Sequence, residues 1–584
     1  MQTKQFKVIF ESQGRMSSVL PGSALLEAAA KAGLIIEAHC GGAGTCAKCR
    51  VQITAGAAPP TAAEQAAFTS PELQAGWRLA CQTLVQQDMK LQVPASALLT
   101  DQMQILAATS SRKIELIPAI RKFFVQMPAP SPDDARADCL RLREALGPFQ
   151  MDLELLRQLP ARLRAENFTG TAVLAAQHLI AFEAGDTSKQ LYGAAFDIGT
   201  TTLVGTLLDL RTGAEKALVA RPNPQIQYGD DVLSRIRHAT LQPEGLADLR
   251  RVLLEALTDM LSHLCDQAAV TCQQIYEVVL AGNTAMQQIL CGIDSRFLGE
   301  LPFAPVQAAG LAGAAQQLGL SIAPGGRAYV LPIIGGFVGG DTVASMLASR
   351  ILERETPLLL VDLGTNGEIV LAHDGRLWCA STAAGPVFEG ARLSCGMRAE
   401  PGAIEKVVLN DDLHLEVIGQ LPPKGICGSG LIDLIAALLN HGILTPAGQL
   451  LAPDALPARL PVALAQRVRL NRSGAPEFLV CQREREPLLL TQRDIREVQL
   501  GAGAIRAGIT LLLKQARINP RAIRAVLLSG GFGNFIRHQH AQRIGLLPPD
   551  IEHKRITSLG NAALSGAKWV LLNTAARHQA EIIA

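Results

Sequence analysis

No run of 18 apolar residues occurs, so a membrane-spanning helix is not expected. The nearest approach, Tyr329 to Gly340, is too short and too rich in glycine. The opening stretch MQTKQFKVIFES has no hydrophobic signal region, and a soluble, cytoplasmic chain is expected. Charge is sparse and balanced: 18% of 584 residues are charged, 54 basic against 52 acidic, for a net +2. Without a basic excess, binding to nucleic acid is disfavoured. Neither a Walker loop nor a glycine-rich dinucleotide fingerprint opens a strand–helix unit, which argues against a P-loop NTPase and a Rossmann dehydrogenase. With no flavin or nicotinamide motif either, reducing electrons must come from an external donor. What is plentiful is apolar material, at 48%, enough for large cores. At about 150 residues per domain, the length suggests three to five domains.

The cysteines are unevenly spread. Of 12, four fall within the first 81 residues: Cys40, Cys46, Cys49 and Cys81, spaced C-x5-C-x2-C and then 31 residues to the last. In a cytosolic chain such clustering points to metal rather than disulfides. Four thiolates also make a structural zinc site, but zinc sites pair two short knuckles. One tight loop plus one remote cysteine is the layout of a 2Fe-2S cluster. The loop Cys40-Gly41-Gly42-Ala43-Gly44-Thr45-Cys46 lets backbone N–H groups approach the sulfides without crowding side chains. A zinc site and plain buried thiols remain the alternatives. The other eight cysteines form no C-x2-C pair and read as small buried hydrophobes.

Around these ligands, QFKVIF and SSVL read as strands, SALLEAAAKAG as a helix ending at Gly33, and CRVQITAG, WRLACQ and DMKLQV as further strands. This arrangement resembles the β-grasp ferredoxin fold. The five-residue first gap is similar to adrenodoxin-type ferredoxins and to ferredoxin modules of larger redox enzymes. Residues 1–94 carry 8 basic and 6 acidic residues, unlike free ferredoxins with strongly acidic faces, so a tethered module is expected.

Residues 95–112 show little periodicity and read as a flexible linker that lets the ferredoxin swing. A small α/β domain is expected over 113–190. Within it, Ser131-Pro132-Asp133-Asp134 has the composition of a helix start and DARADCLRLREALG that of the helix. TAVLAAQHLIAFEAGD reads as two strands, and no chemistry is visible there.

The second half holds a repeat. LYGAAFDIGTTTLVGTLLDL begins at Leu191 and PLLLVDLGTNGEIVLAHDG at Pro357, each an apolar strand, then Asp-x-Gly-Thr, then a second strand. Asp197 and Asp362 lie 165 residues apart. Two such units facing each other make a nucleotide clamp. Glycine admits phosphate, Thr hydroxyls and turn N–H groups donate to it, and the aspartates hold hydrated Mg2+ or orient water. Late in the chain a buried strand runs into Ser529-Gly530-Gly531-Phe532-Gly533-Asn534.

These residues resemble the acetate/sugar kinase–Hsc70–actin (ASKHA) superfamily. Asp197, Gly199, Thr200 and Thr201 match its first phosphate motif, and Asp362, Gly364, Thr365 and Asn366 its second. Gly530, Gly531 and Gly533 match its adenosine motif. Leu280–Met286, Gly335–Asp341 and Gly425–Gly430 look like further turns around the cleft, with ordinary tight turns as the alternative; Asp341 joins Asp197 and Asp362 as a catalytic candidate. The resemblance implies ATP and Mg2+ as ligands and a homodimer.

Ferredoxin, small middle domain and ASKHA ATPase in one chain resemble the reductive activators of corrinoid proteins over the full length. Pro224–Asp231 and Ser381–Gly390 are further matching segments. The expected fold is therefore multidomain α/β: a β-grasp 2Fe-2S domain (1–94), a linker (95–112), a middle α/β domain (113–190) and a duplicated, actin-like, ribonuclease H-like ATPase (191–584). The implied activity is ATP-dependent reduction of Co(II) to Co(I) in the corrinoid protein of a methyltransferase system. The electron would pass through the cluster. Ser381, in a small and flexible Cys379–Gly390 loop, is the candidate to face the corrinoid. The bland reading is that Ser381 and Thr382 cap a turn. Glu389 is expected at a rim contact or paired with Arg392. An ATP-driven activator of a radical dehydratase is the alternative enzyme, and a nucleotide-switched binding protein the alternative of another class.

Overall fold

A computed structural model describes residues 5–32, 34, 36, 44, 49–94, 97, 115–229, 231–390, 393–397, 399, 401–483, 487–530 and 536–584. The expected linker, apart from Ala97, lies outside the described residues, as do Cys40, Cys46, Asp230, Arg392, Gly531 and Gly533. Two compact units emerge, one from 1–108 with 351–561 and the other from 109–350 with 562–584.

The first unit opens with β1 (Phe6–Phe10), β2 (Arg15–Val19), β3 (Ser23–Ala24) and α1 (Leu25–Lys31), then β4 (Arg50–Ala55), α2 (Ala62–Ala67), β5 (Trp77–Leu79), β6 (Leu84–Val85) and β7 (Met89–Gln92). Its sheet runs β2-β1-β7-β4-β5. Val8, Phe10, Val51 and Leu91 alternate inward with the strand period of two and bury completely beside Leu25 and Ala28 of α1.

In the second unit β8 (Ile120–Gln126), β9 (Gln150–Met151), β10 (Thr169–Ala175) and β11 (His178–Ala184) form the sheet β8-β10-β11-β9. Helices α3 (Asp138–Leu146) and α4 (Leu153–Ala165) share its core through Leu142, Leu159 and Leu163. Here the expected helix start fails. Ser131 and Asp134 exchange backbone hydrogen bonds, and the Asp134 carboxylate accepts from Arg136 (2.8 Å) and buried Arg141 (2.6 Å). With that acceptor taken, the helix begins only at Asp138.

The same unit continues with β12 (Tyr192–Ile198), β13 (Thr202–Asp209), β14 (Glu215–Pro222), α5 (Val232–Leu241), α6 (Gly245–Ala268), β15 (Ile275–Gly282), α7 (Thr284–Cys291), β16 (Leu311–Ala314), β17 (Arg327–Val330) and α8 (Gly340–Ser349). Their sheet order is β14-β13-β12-β15-β17-β16.

Back in the first unit come β18 (Leu358–Leu363), β19 (Gly367–His373), β20 (Arg376–Thr382), β21 (Ala403–Leu409), β22 (Leu413–Val417), β23 (Gly425–Ile426), α9 (Gly428–Asn440), β24 (Val468–Leu470), β25 (Pro476–Cys481), β26 (Leu488–Thr491), α10 (Gln492–Gln515), β27 (Ala525–Ser529), α11 (His538–Arg543) and β28 (Ile556–Gly560). The main sheet there is β20-β19-β18-β27-β28, flanked by the small ladder β22-β21-β23. Both main sheets carry one plan: two antiparallel hairpin steps, then two parallel ones. The repeat seen in sequence is thus a repeat of topology. Among the described residues no helix is long and apolar enough to cross a membrane.

Candidate functional sites

Antiparallel pairing of β4 with β5 sets Arg50 opposite Leu79, and Ala80 N–H donates to the Cys49 carbonyl at 2.8 Å. This register brings the thiols of Cys49 and Cys81 together, Sγ to Sγ 3.3 Å. Two thiolates on one tetrahedral metal with bonds of about 2.3 Å stand ~3.8 Å apart, so a small side-chain rotation would let both thiols serve as ligands of a metal centre. Buried Glu64 holds the segment before and after Cys81, accepting from Leu79 N–H (2.9 Å) and the Thr83 hydroxyl (3.0 Å). Gly44 has φ +74°, and a Cβ there would stand 2.9 Å from the Ala63 Cβ, so Gly44 itself lies hard against α2. Nearby, the Arg50 guanidinium stacks over Trp77 at 4.6 Å and pairs with Glu72.

The first Asp-x-Gly-Thr turn belongs to the second unit. Asp197, next to last on β12, lies opposite Val204 of β13 and Ala281 of β15. The turn carbonyls are tied from behind: Asn223 donates to Gly199 O (2.9 Å) and Arg235 to Thr200 O (2.5 Å). Arg235 is fully buried and donates also to Gly229 O and Gln225. Asn283 caps α7 through Met286 N–H, and its amide donates to the Thr200 hydroxyl oxygen at 2.9 Å. That acceptance leaves the Thr200 proton to point elsewhere. A Cβ on Gly339 would stand 2.4 Å from Asn283 Cα, which sets the Gly335–Asp341 turn against the same spot. Asp341 opens α8, where its carboxylate accepts from Thr342 N–H. Of the three turns expected around the cleft, Leu280–Met286 and Gly335–Asp341 lie beside Thr200. Arg235 and Asn223 were missed, since neither lies in a motif.

The second turn belongs to the first unit. Asp362 lies opposite Glu368 of β19 and Ser529 of β27, the place Asp197 holds in its own sheet. Ser529, fully buried, donates to Asp362 Oδ2 at 2.6 Å. Gly364 N–H closes the turn on Asn366 O, and the Thr365 hydroxyl donates to Glu389 at 2.6 Å. Gly530, φ +113°, passes so close that a Cβ would stand 2.4 Å from Leu363 O. The Gly425–Gly430 turn starts α9, and a Cβ on Gly428 would sit 1.9 Å from Phe388 O.

Ser381 departs from expectation. It is a strand residue of β20, paired with Glu368, with its hydroxyl 3.3 Å from that carboxylate. The irregular part of Cys379–Gly390 starts only at Ala383, because Thr382 still pairs with Gly367. Ser381 and Thr382 therefore do not cap a turn. Glu389 has Thr365 for a partner. Among the remaining cysteines, Cys265 and Cys272 have sulfurs 2.8 Å apart, and burial pushes the Cys265 thiol up to about 12.

Family comparisons match four consecutive stretches. Residues 9–86 match a 2Fe-2S iron–sulfur cluster binding domain, 109–189 a RACo linker region, 192–354 a RACo middle region, and 356–584 the C-terminal ASKHA domain of RACo. The chain is 31% identical over 577 residues to the corrinoid activation enzyme RamQ of Eubacterium limosum, covering 97% of this chain and 93% of that one. It is 24% identical over 423 residues to the Co(II) methylated amine-specific corrinoid protein reductase of Methanosarcina barkeri, over 65% of this chain and 70% of that one. A solved structure of a reductive activator for corrinoid, iron–sulfur protein superposes with a TM-score of 0.75 at 31% identity, over 99% of this chain and 94% of that one.

Proposed function

Because this chain belongs to the RACo family, we propose that it is the ATP-dependent reductase that returns a corrinoid protein of a methyltransferase system from Co(II) to Co(I). What carries this reading is the presence, in one polypeptide, of a paired-thiol site and two topologically equivalent Asp-x-Gly-Thr turns. Cys49 and Cys81, with Cys40 and Cys46, would hold a 2Fe-2S cluster, which supplies one-electron transfer when bound. An external low-potential donor fills it. Thr200, Thr201, Thr365 and the turn N–H groups would take ATP phosphates, with Gly199, Gly364, Asn366, Gly530, Gly531 and Gly533 shaping the approach. Asp197, Asp362 and Asp341 would position hydrated Mg2+ or the attacking water.

Nucleotide is needed for an energetic reason. Reducing Co(II) with a ferredoxin-type donor runs uphill, and a one-electron gap of about 0.1–0.2 V is roughly 2–5 kcal/mol. ATP binding or hydrolysis offsets that gap by favouring the reduced state in the complex. Ser381 remains our candidate for the corrinoid-facing oxygen, now presented from a sheet edge.

The test is anaerobic reduction of a Co(II) corrinoid protein by the full chain with reduced donor and Mg-ATP, followed by the loss of the Co(II) electron paramagnetic resonance signal. Asp197→Ala, Asp362→Ala and Cys81→Ala should each abolish the reaction. An equal rate without ATP would sink the proposal.

A further inference from the structure

Within the first unit the ferredoxin module rests on the small β22-β21-β23 ladder of the chain's C-terminal part. Two lysine contacts join them. Lys31, the last residue of α1, forms an ion pair with Glu416 of β22, and both side chains are largely buried, 17% and 7% exposed. Lys406 of β21 donates to the Ser23 hydroxyl at 2.6 Å, with Lys406 8% and Ser23 1% exposed. Ser23 pairs with Val85, Leu25 N–H bonds Thr83 O, and Leu26 N–H bonds Ala80 O. The contact therefore grips the strands that flank Cys81.

The receiving ladder is connected, contact by contact, to the second phosphate turn. Thr365 donates to Glu389, which ends the 3-10 turn Pro386–Glu389. Gly390 follows, and a Cβ there would stand 2.0 Å from Met397 O. Met397 N–H bonds Ile426 O at 2.9 Å, and β23 (Gly425–Ile426) pairs in parallel with Ala403 and Ile404 of β21. Lys406 lies two residues further along that strand. A threonine hydroxyl has one proton. If Thr365 donates it to a phosphate oxygen, it cannot also donate it to Glu389.

We propose that Lys31–Glu416 and Lys406–Ser23 form a releasable lock that parks the ferredoxin module on the β21–β22 ladder, and that nucleotide at the Asp362–Asn366 turn loosens it by taking the Thr365 proton from Glu389. This rests on the nucleotide reading above. Loosening frees the module to exchange electrons with its donor and its acceptor, so the same ligand that supports reduction also sets when the cluster travels.

The experiment is hydrogen exchange by mass spectrometry on the cluster-loaded full chain, with and without Mg2+ and the non-hydrolysable analogue AMPPNP, whose binding is measured separately by calorimetry. Peptides over 15–32 and 403–417 should exchange at least fivefold faster with nucleotide. Lys31→Glu and Glu416→Lys should each give the fast exchange without nucleotide, and the double charge swap should restore slow exchange, which misfolding would not. Glu389→Ala should be fast in both conditions. Tight AMPPNP binding with unchanged exchange in both segments overturns the coupling while leaving the nucleotide reading intact. Absence of binding overturns that reading and the coupling together. Single charge reversals that exchange like the parent overturn the lock itself.

Discussion

The Ser529 hydroxyl donates to Asp362 across one parallel strand step, whereas the residue in the matching place beside Asp197 is Ala281. Two aspartates alike in motif and in topology therefore sit beside different neighbours. Asp362 has its carboxylate orientation set from the sheet interior by a buried hydroxyl.

Ser529→Ala removes that orientation while leaving the strand packed. A net hydrogen bond of about 1–1.5 kcal/mol corresponds to a loss of roughly tenfold in ATP turnover. Steady-state phosphate release should show this with the cluster absorbance unchanged. A rate within twofold of the parent would mean that the bond does not position Asp362 for catalysis.

Arg235→Met leaves the carbonyls of Thr200 and Gly229 without a buried donor. Stranding such groups costs about 2–4 kcal/mol, so scanning calorimetry should show a clear drop in melting temperature together with weakened ATP binding. Iron content should stay normal, because Arg235 and the thiols belong to different compact units. An unchanged melting temperature with intact ATP affinity would count against this account of the turn.

How much of this was legible beforehand depended on whether the signal was local. The spacing of Cys40, Cys46 and Cys49 and the two Asp-x-Gly-Thr strings are local patterns; Asp197 and Asp362 fall on the strands expected, while Cys49 lies one residue before β4 and Cys81 two residues after β5. Arg235 lies 35 residues from the carbonyl it braces, and Ser529 lies 167 residues from Asp362. No spacing rule joins such pairs; strand order brings Ser529 to Asp362, and α5 carries Arg235 to the Thr200 carbonyl. The Ser131 helix start misled because its composition was right while Arg136 and Arg141 had claimed the acidic side chain. Ser381 misled in the other direction, since the small residues after it suggested a loop where pairing with β19 still held.

Anaerobically purified protein should contain about two irons and two acid-labile sulfides per chain, as expected of a 2Fe-2S site. Cys81→Ala should abolish the visible spectrum. Glu64→Ala, which removes the side-chain acceptor of Leu79 N–H and of the Thr83 hydroxyl, should leave the spectrum but speed cluster loss several-fold in a chelator challenge. Stoichiometric zinc in place of iron would refute the assignment.

Burial, with a smaller contribution from His553, pushes the His538 imidazole down to about 4. The folded state then binds fewer protons than the unfolded state between about pH 4 and 6.5. His538 thus contributes stability that is complete above about 6.5 and lost as pH falls towards 4. Histidine C2–H exchange read by mass spectrometry should place its midpoint near 4. A midpoint of 6 or higher would contradict the burial of the His538 ring, which reaches the Ser558 hydroxyl.

The homodimer that we propose, on the strength of the family resemblance, is checked by light scattering at micromolar concentration. Twice the mass of the 62.0 kDa chain is the expected result, and a clean monomer would exclude it.

The glycines at 390, 428 and 530 have a mechanical consequence. At each, a neighbouring carbonyl oxygen stands where a Cβ would be, at 2.0, 1.9 and 2.4 Å respectively. Backbone therefore rests on backbone with no side chain between to change rotamer and take up slack. Close-packed interiors have low compressibility, and a seam built this way is close to its limit. A displacement of a few tenths of an ångström at the Asp362 turn would reach β23 nearly undiminished, where a seam padded with leucines would dissipate it. Alanine at 428 would thus act as a shim, shifting the resting position of the seam rather than softening it.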